Sequence, residues 1–269
     1  MDLGIQNKVA IVTGASTGIG KAVALEFSKN GARVVLTARG EETLAATVDE
    51  IASATENSNV IGIPADVAAD GAAETLVEGA LERFGSVDIV VNNAGRAHAG
   101  GLLETTDADW ENMEQVKLHA MLRLNRTAIP HMQKNKWGRI VNMSSIGGIY
   151  SNPKLLISHV LSAAINNLTK GLALEVASDG IVVNAIAIGA VQTDNWASNM
   201  LPSVRERRPE WDDKSDDEVI ALLGAELTPV GQFGQPEDIA AAAAFLVSDR
   251  NRFVTGCTIE ASGGADRFI

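Results

Sequence analysis

Cysteine occurs once in this 269-residue sequence, at Cys257. An internal disulfide and a cysteine-rich metal site are therefore both excluded. No apolar run approaches the roughly 20 residues that a bilayer-spanning helix needs. The first residues, Met1 to Lys8, lack a basic stretch followed by an apolar one, so no secretory signal is expected. Basic residues are in short supply: 22 Lys and Arg stand against 34 Asp and Glu, for a net charge of −12. A surface of that sign repels phosphate backbones, which argues against nucleic acid as a partner. These absences lead us to expect a cytoplasmic protein with no membrane and no nucleic-acid partner. What remains is an ordinary globular balance, 46% hydrophobic and 21% charged, which argues against disorder.

Short β-branched runs alternate with longer helical patterns. Val9–Val12, Arg33–Thr37, Val60–Ile63, Ile89–Val91 and Ile140–Val141 are apolar runs of the kind that buried parallel strands require, the last inside a strand read from Arg139 to Met143. Ile181–Ala187 and Thr255–Ile259 look like two more. Between Ala72 and Phe84 the apolar residues recur at a four-residue stride, the mark of a helix with one buried stripe. Sustained strand–helix alternation predicts an α/β fold: one Rossmann-type, doubly wound parallel sheet of about seven strands with helices on both faces. Residues 194–227 break the pattern. They carry Trp196 and Trp211, and six acids fall between Glu210 and Glu218. An insertion of this length inside a single domain spanning 1–269 reads as a substrate lid with short helices.

The first strand runs directly into Thr13-Gly14-Ala15-Ser16-Thr17-Gly18-Ile19-Gly20, which opens a helix expected near Lys21. Glycines in such a turn let the backbone approach a pyrophosphate, which the helix N-terminus then stabilises. Further pieces follow in order: Asp66-Val67, Asn92-Asn93-Ala94-Gly95, Asn142-Met143-Ser144-Ser145, Asn184–Ala187, Val191-Gln192-Thr193, Gly234–Ala240 and Val254-Thr255-Gly256. With this ordered set the chain resembles the short-chain dehydrogenase/reductase family over essentially its full length.

The resemblance implies a nicotinamide dinucleotide held by Gly14, Ser16, Thr17, Gly18, Ile19 and Gly20. It further implies adenine contacts from Asp66 and Val67, ribose contacts from Asn93, Ala94 and Gly95, and carboxamide contacts from Val191 and Thr193. For Asp66, a structural helix N-cap is the competing reading. The second strand ends Thr37-Ala38-Arg39, with no carboxylate for ribose hydroxyls, whereas Arg39 can fork onto a 2′-phosphate. Thr17 stands where NADP-preferring relatives often carry a base. The expected cofactor is NADP, with NAD as the alternative. No metal is expected.

The family's chemistry uses a tyrosine whose pKa is lowered by a lysine four residues later, with a serine on the substrate oxygen and a helix asparagine in a proton relay. Ser145 matches the serine. In register, Ser158 stands at the tyrosine position and Ser162 at the lysine position, while Lys117 replaces the asparagine. Tyr150 and Lys154 spell the same Tyr-x-x-x-Lys motif, but they fall in the strand-to-helix loop, and Pro153 fits a first helical turn only. That pair reads as a decoy, with Lys154 toward solvent and Tyr150 as a wall of the substrate pocket. Lys117 is either a solvated helix lysine or an ammonium transferred from one helix to the other. The candidate catalytic residues are therefore Ser145, Lys117, Ser158 and Tyr150, with His98 near the pocket rim as a further proton donor. His159 follows Ser158 by roughly 100° around the helix and is expected to face elsewhere.

Three functional readings follow. The first is an NADP-dependent oxidoreductase acting on a small carbonyl or alcohol with a non-standard proton donor. The second is a non-redox enzyme (a lyase, dehydratase or dehalogenase) on the same scaffold. The third is a catalytically weak dinucleotide-binding partner subunit. The resemblance also implies a homotetramer or homodimer, with Phe253–Ile269 as a candidate interface and lid residues Trp196, Met200 and Trp211 shaping the substrate site.

Overall fold

The computed structural model describes residues 2–193, 201–202 and 204–266. The apolar runs become strands because branched side chains pack well on a pleated surface buried from both sides. They are β1 (Val9–Thr13), β2 (Arg33–Ala38), β3 (Val60–Pro64), β4 (Ile89–Asn92), β5 (Gly138–Ser145), β6 (Ile181–Ile188) and β7 (Thr258–Ala261). All seven lie parallel in one sheet, in the order β3-β2-β1-β4-β5-β6-β7. The helices are α1 (Gly18–Lys29), α2 (Glu41–Thr55), α3 (Ala72–Phe84), α4 (Asp107–Glu114), α5 (Ala120–Asn135), α6 (Leu156–Val176), α7 (Asp216–Leu227) and α8 (Pro236–Val247).

Alternate strand residues feed two cores. Val12, Val34, Leu36 and Val91 pack under α1, α2 and α8. Ile11, Val35, Val90 and Ile140 pack under α3, α5 and α6 on the opposite face. After β3 the chain crosses from one side of β1 to the other, so the carboxyl ends of β1 and β4 flank the point where strand order reverses. In open parallel sheets that crevice is where ligands bind. A separate apolar cluster of Leu201, Val204, Val219, Leu223 and Phe233 holds α7 beside the carboxyl edge. The expected lid residues Trp196 and Met200 lie outside the described residues.

Two element starts lie three residues from the sequence expectation. Helix α1 starts at Gly18, inside the glycine turn, and not near Lys21. Strand β7 starts at Thr258 and not at Thr255. Gly256 occupies the left-handed region (φ +68°), and Asn184 accepts from the Cys257 N–H, so this stretch turns before it can join the sheet. Between α4 and α5 the helix continues as one π turn, Gln115–His119. Such wide turns inside α-helices are frequent at functional sites, and Lys117 sits in the middle of this one. Among the described residues, no helix is long and apolar enough to cross a membrane.

Candidate active site

The glycine turn is built to approach other backbone closely. Gly14 has φ +63°, and a Cβ there would lie 2.9 Å from Ala94 Cα. A Cβ on Gly20 would clash with the Gly14 carbonyl oxygen. The turn is pinned to β2 by Ala15 N–H donating to the Thr37 carbonyl at 3.1 Å, while Thr47 Oγ1 donates to the Ser16 carbonyl. At the N-terminus of α1, Thr17 makes no side-chain cap, and the first turn carries no acid. Helices α4 and α7 are instead closed by capping boxes, from Thr106 with Asp109 and Ser215 with Glu218. The α1 terminus thus keeps its N–H groups and positive dipole end for an outside anion, and these residues fit a pyrophosphate.

The other expected dinucleotide contacts converge on the same edge. Thr13 Oγ1 accepts from the N–H groups of Asn93 and Ala94, both at 2.9 Å. The Asn93 amide donates to the Thr13 and Gly14 carbonyls, so its side chain braces the turn and leaves ribose contacts to the backbone that follows. Val67 and Ala94 line one cavity with Val116 and Lys117. Val191 bridges to Gly234, and the Thr193 methyl would lie 3.5 Å from a Cβ on Gly18. Arg39 is exposed just past β2. Asp66 is not a helix cap: its Oδ1 accepts from Ala68 N–H in a tight turn, and α3 begins later, after Gly71. The side chain of Ile19 packs into the core beneath.

Lys117 lies against the β4 loop. A Cβ on Gly95 would meet its Cγ at 3.3 Å and its Cε at 3.6 Å. Burial lowers its amine from the ordinary 10.5 to about 8. Among the described residues its Nζ makes no hydrogen bond and no ion pair. The residue as a whole is half-buried, so its side chain keeps some contact with solvent.

At the end of β5, Ser145 Oγ accepts from Gly147 N–H at 3.1 Å, which leaves its own proton to donate. The two serines at the altered positions are held by structural bonds. Ser158 Oγ accepts from His98 N–H at 2.8 Å, and Ser162 Oγ donates to the Ser158 carbonyl at 2.7 Å. His98 Nε2 stands 3.3 Å from Asp109 Oδ1, so the imidazole faces the capping carboxylate of α4. His159 is buried and takes Asn152 N–H on Nδ1 at 2.8 Å, which places its proton on Nε2. Gly147 lies so close to that Nε2 that a Cβ there would clash with the ring. Burial, and then the Lys117 charge, lower the His159 pKa and keep the ring neutral.

Tyr150 packs beside Ile146, Ala187 and Ala265. The charge of Glu260 is the largest influence on its phenol; burial, a hydrogen bond to Glu260 and the charge of Asp266 add to it, and all raise the pKa. That is the wrong direction for a proton donor near neutrality. Lys154 is exposed, and with Pro153 it lies before α6, outside any helical turn. Tyr150 and Lys154 therefore share no helix face.

Residues 14–266 match the family described as Enoyl-(Acyl carrier protein) reductase. The chain is 35% identical to the BbsD subunit of the hydroxy(phenyl)methylsuccinyl-CoA dehydrogenase of Thauera aromatica, over 99% of each chain. It is also 35% identical to the 3-oxoacyl-(acyl-carrier-protein) reductase FabG of Pseudomonas aeruginosa, over 97% of this chain and 98% of that one. The solved L-sorbose reductase of Gluconobacter frateurii, complexed with NADPH and L-sorbose, superposes with a TM-score of 0.92 at 31% identity over the whole of both chains. The chain belongs to the short-chain dehydrogenase/reductase family. It is of that family's NAD(P)-dependent oxidoreductase type.

Within this family frame, three residues at the site were not singled out from sequence. Thr13 orders the Asn93–Ala94 backbone, and its place at the head of the glycine turn is a local signal. His159 was set aside on helical angle alone; its role depends on the 147–152 loop folding back over α6. Glu260 meets Tyr150 from β7, a contact with no local signature.

Proposed function

We propose that this chain is an NADP-dependent oxidoreductase of small carbonyl or alcohol compounds in which Lys117 takes the place of the phenol as proton donor. The observation that carries the reading is the unpaired Lys117 amine, set in a π turn against Gly95 at the edge of the dinucleotide cleft. When bound, the dinucleotide supplies the hydride. Ser145 holds the substrate oxygen with its free hydroxyl proton, and the Lys117 ammonium gives a proton to that oxygen as negative charge builds there. An amine near 8 is matched to this task at neutral pH, whereas a phenol raised by carboxylates is not. Ser158 and Ser162 hold the β4 loop and α6, and His159, kept neutral, positions the loop after Ser145. Arg39 receives the 2′-phosphate, in keeping with the NADPH bound by L-sorbose reductase. Helix α7, with its apolar cluster of Leu201, Val204, Val219, Leu223 and Phe233, serves as part of the substrate lid.

The test is NADPH consumption against a panel of small ketones and aldehydes, with wild type beside Lys117→Met. Wild type turns over, and the variant falls by roughly 10²–10⁴-fold, the span of a lost general acid. Turnover that survives in Lys117→Met removes the lysine from the mechanism.

A second reading has two observations in its favour. Both serines at the usual tyrosine and lysine positions are engaged in structural hydrogen bonds, and the Thauera relative is itself named as a subunit. On this reading the chain binds dinucleotide and serves as the weakly active partner of a catalytic chain. Tight NADPH binding without consumption on the panel selects it.

A further inference from the structure

The turn between β3 and α3 carries Asp66 and Val67, the residues expected at the adenosine end of a dinucleotide, and little packing holds it. Asp66, Ala69, Asp70 and Gly71 are exposed, and α3 begins without a side-chain cap. Ala65 N–H donates to the Ala38 carbonyl at 3.0 Å, which secures the start of the turn to β2. Within the turn, Ala68 N–H donates to Asp66 Oδ1 and Ala69 N–H to the Asp66 carbonyl. Among the described residues, one hydrogen bond reaches residues 66–71 from beyond the turn and α3. Arg123 Nη2 donates to the Ala68 carbonyl at 3.0 Å. Arg123 stands half-buried on α5, and its Nη1 donates to Gln115 Oε1 at 3.3 Å. Gln115 is the first residue of the π turn. No carboxylate pairs with this guanidinium among the described residues, and its Nε is sealed without a partner. A rigid fork suits two acceptors on different elements. The side chain thus joins α5, the π turn and the adenosine turn.

We propose that Arg123 is a positioning residue for the dinucleotide: it braces the Asp66–Val67 turn against the π turn, in the shape that receives adenosine. It acts through the turn and not by contact with the cofactor. The inference rests on the dinucleotide site described above and not on any role of Lys117 in proton transfer. Without the fork, the exposed turn samples other shapes and must be ordered again when the cofactor binds, which lowers affinity. NADPH and NADH share the adenine that this turn meets, so both lose alike. That separates Arg123 from Arg39, whose loss falls on the phosphate alone.

The test titrates NADPH and NADH into the full-length wild type, Arg123→Met and Arg123→Lys, beside hydrogen exchange of the free proteins. Arg123→Met is expected to weaken both dinucleotides by about tenfold, the size of a lost charge-assisted hydrogen bond. Exchange in a peptide over residues 65–71 should quicken, while the strand peptides keep their protection. Arg123→Lys retains one donor for the Ala68 carbonyl and should recover part of the loss. Gln115→Ala, at an exposed position, removes only the second anchor and should give the same pattern at smaller size, so the proposal does not depend on Arg123→Met folding. Unchanged affinities in Arg123→Met overturn the proposal, and so does a loss confined to NADPH. Faster exchange throughout the chain, with no recovery in Arg123→Lys, also overturns it and leaves Arg123 a structural residue only. A wild type that binds neither dinucleotide removes the site reading itself. Binding without any consumption of NADPH leaves the proposal standing while the redox reading falls.

Discussion

The aliphatic chain of Lys117 lies against Gly95 so closely that a methyl group at position 95 would sit 3.3 Å from its Cγ. Gly95 is not among the glycines with left-handed φ, so alanine meets no backbone objection there. Gly95→Ala should therefore fold normally yet push the lysine by a few tenths of an ångström. If the amine acts on the substrate oxygen, kcat drops by roughly tenfold, since small misplacements of a catalytic group are costly. Steady-state kinetics beside a thermal melt separate the two effects, and an unchanged kcat would detach Gly95 from the chemistry.

Lys117 also sets a pH dependence with a defined sign. Its folded-state value of about 8 is below the ordinary 10.5, so between those values the unfolded chain holds more protons and stability rises with pH. The charged lysine thus destabilises the fold below about pH 8, by a few kcal/mol at most. Lys117→Met should melt at a higher temperature than wild type at neutral pH, with the gap closing as pH passes 10.5. Carbonyl reduction should run the other way, fading as pH rises through about 8 and the ammonium is lost. Melts of both proteins across that range, with a pH–rate profile, check both signs. A gap that does not change with pH would remove the burial cost.

Tyr150 and Lys154 match the family motif by spelling alone. Glu260 and Asp266 raise the phenol, and the amine of Lys154 stands in solvent before α6 begins. Tyr150→Phe and Lys154→Ala should each keep kcat at saturating substrate within roughly twofold, because neither side chain is placed to give up a proton to the substrate near neutral pH. A loss of a hundredfold in either would return the proton supply to this loop.

The fold was legible wherever local periodicity decides structure. Strands β1 to β6 were readable because parallel strands buried on both faces must be continuously apolar, and the glycine turn followed from where β1 stops. The start of β7 was not, because it depends on Gly256 turning and on Asn184 capturing Cys257 N–H from another strand. At the site, Lys117 was found by counting along one helix from Trp110. Its isolation from carboxylates was invisible, since that depends on which side chains α6 and the β4 loop present across the cleft. His159 shows the limit most clearly: a helical angle places it relative to Ser158 but says nothing about a loop that returns its Asn152 N–H to the ring.

Cofactor choice rests on one exposed side chain. Arg39 follows the last residue of β2, at the carboxyl edge where the adenosine end of a dinucleotide lies in this fold. No ion pair engages it among the described residues, so its guanidinium is available to a 2′-phosphate dianion. A charge-assisted, two-pronged contact of this kind contributes about 1.5–3 kcal/mol. Arg39→Ala should then weaken NADPH binding by roughly 10- to 100-fold while leaving NADH, which lacks that phosphate, nearly unchanged. Paired titrations of the two dinucleotides on wild type and variant measure the ratio directly. Equal losses for both would mean that Arg39 supports the β2–α2 turn and reads no phosphate, and the preference for NADP would then have to come from elsewhere on the cleft.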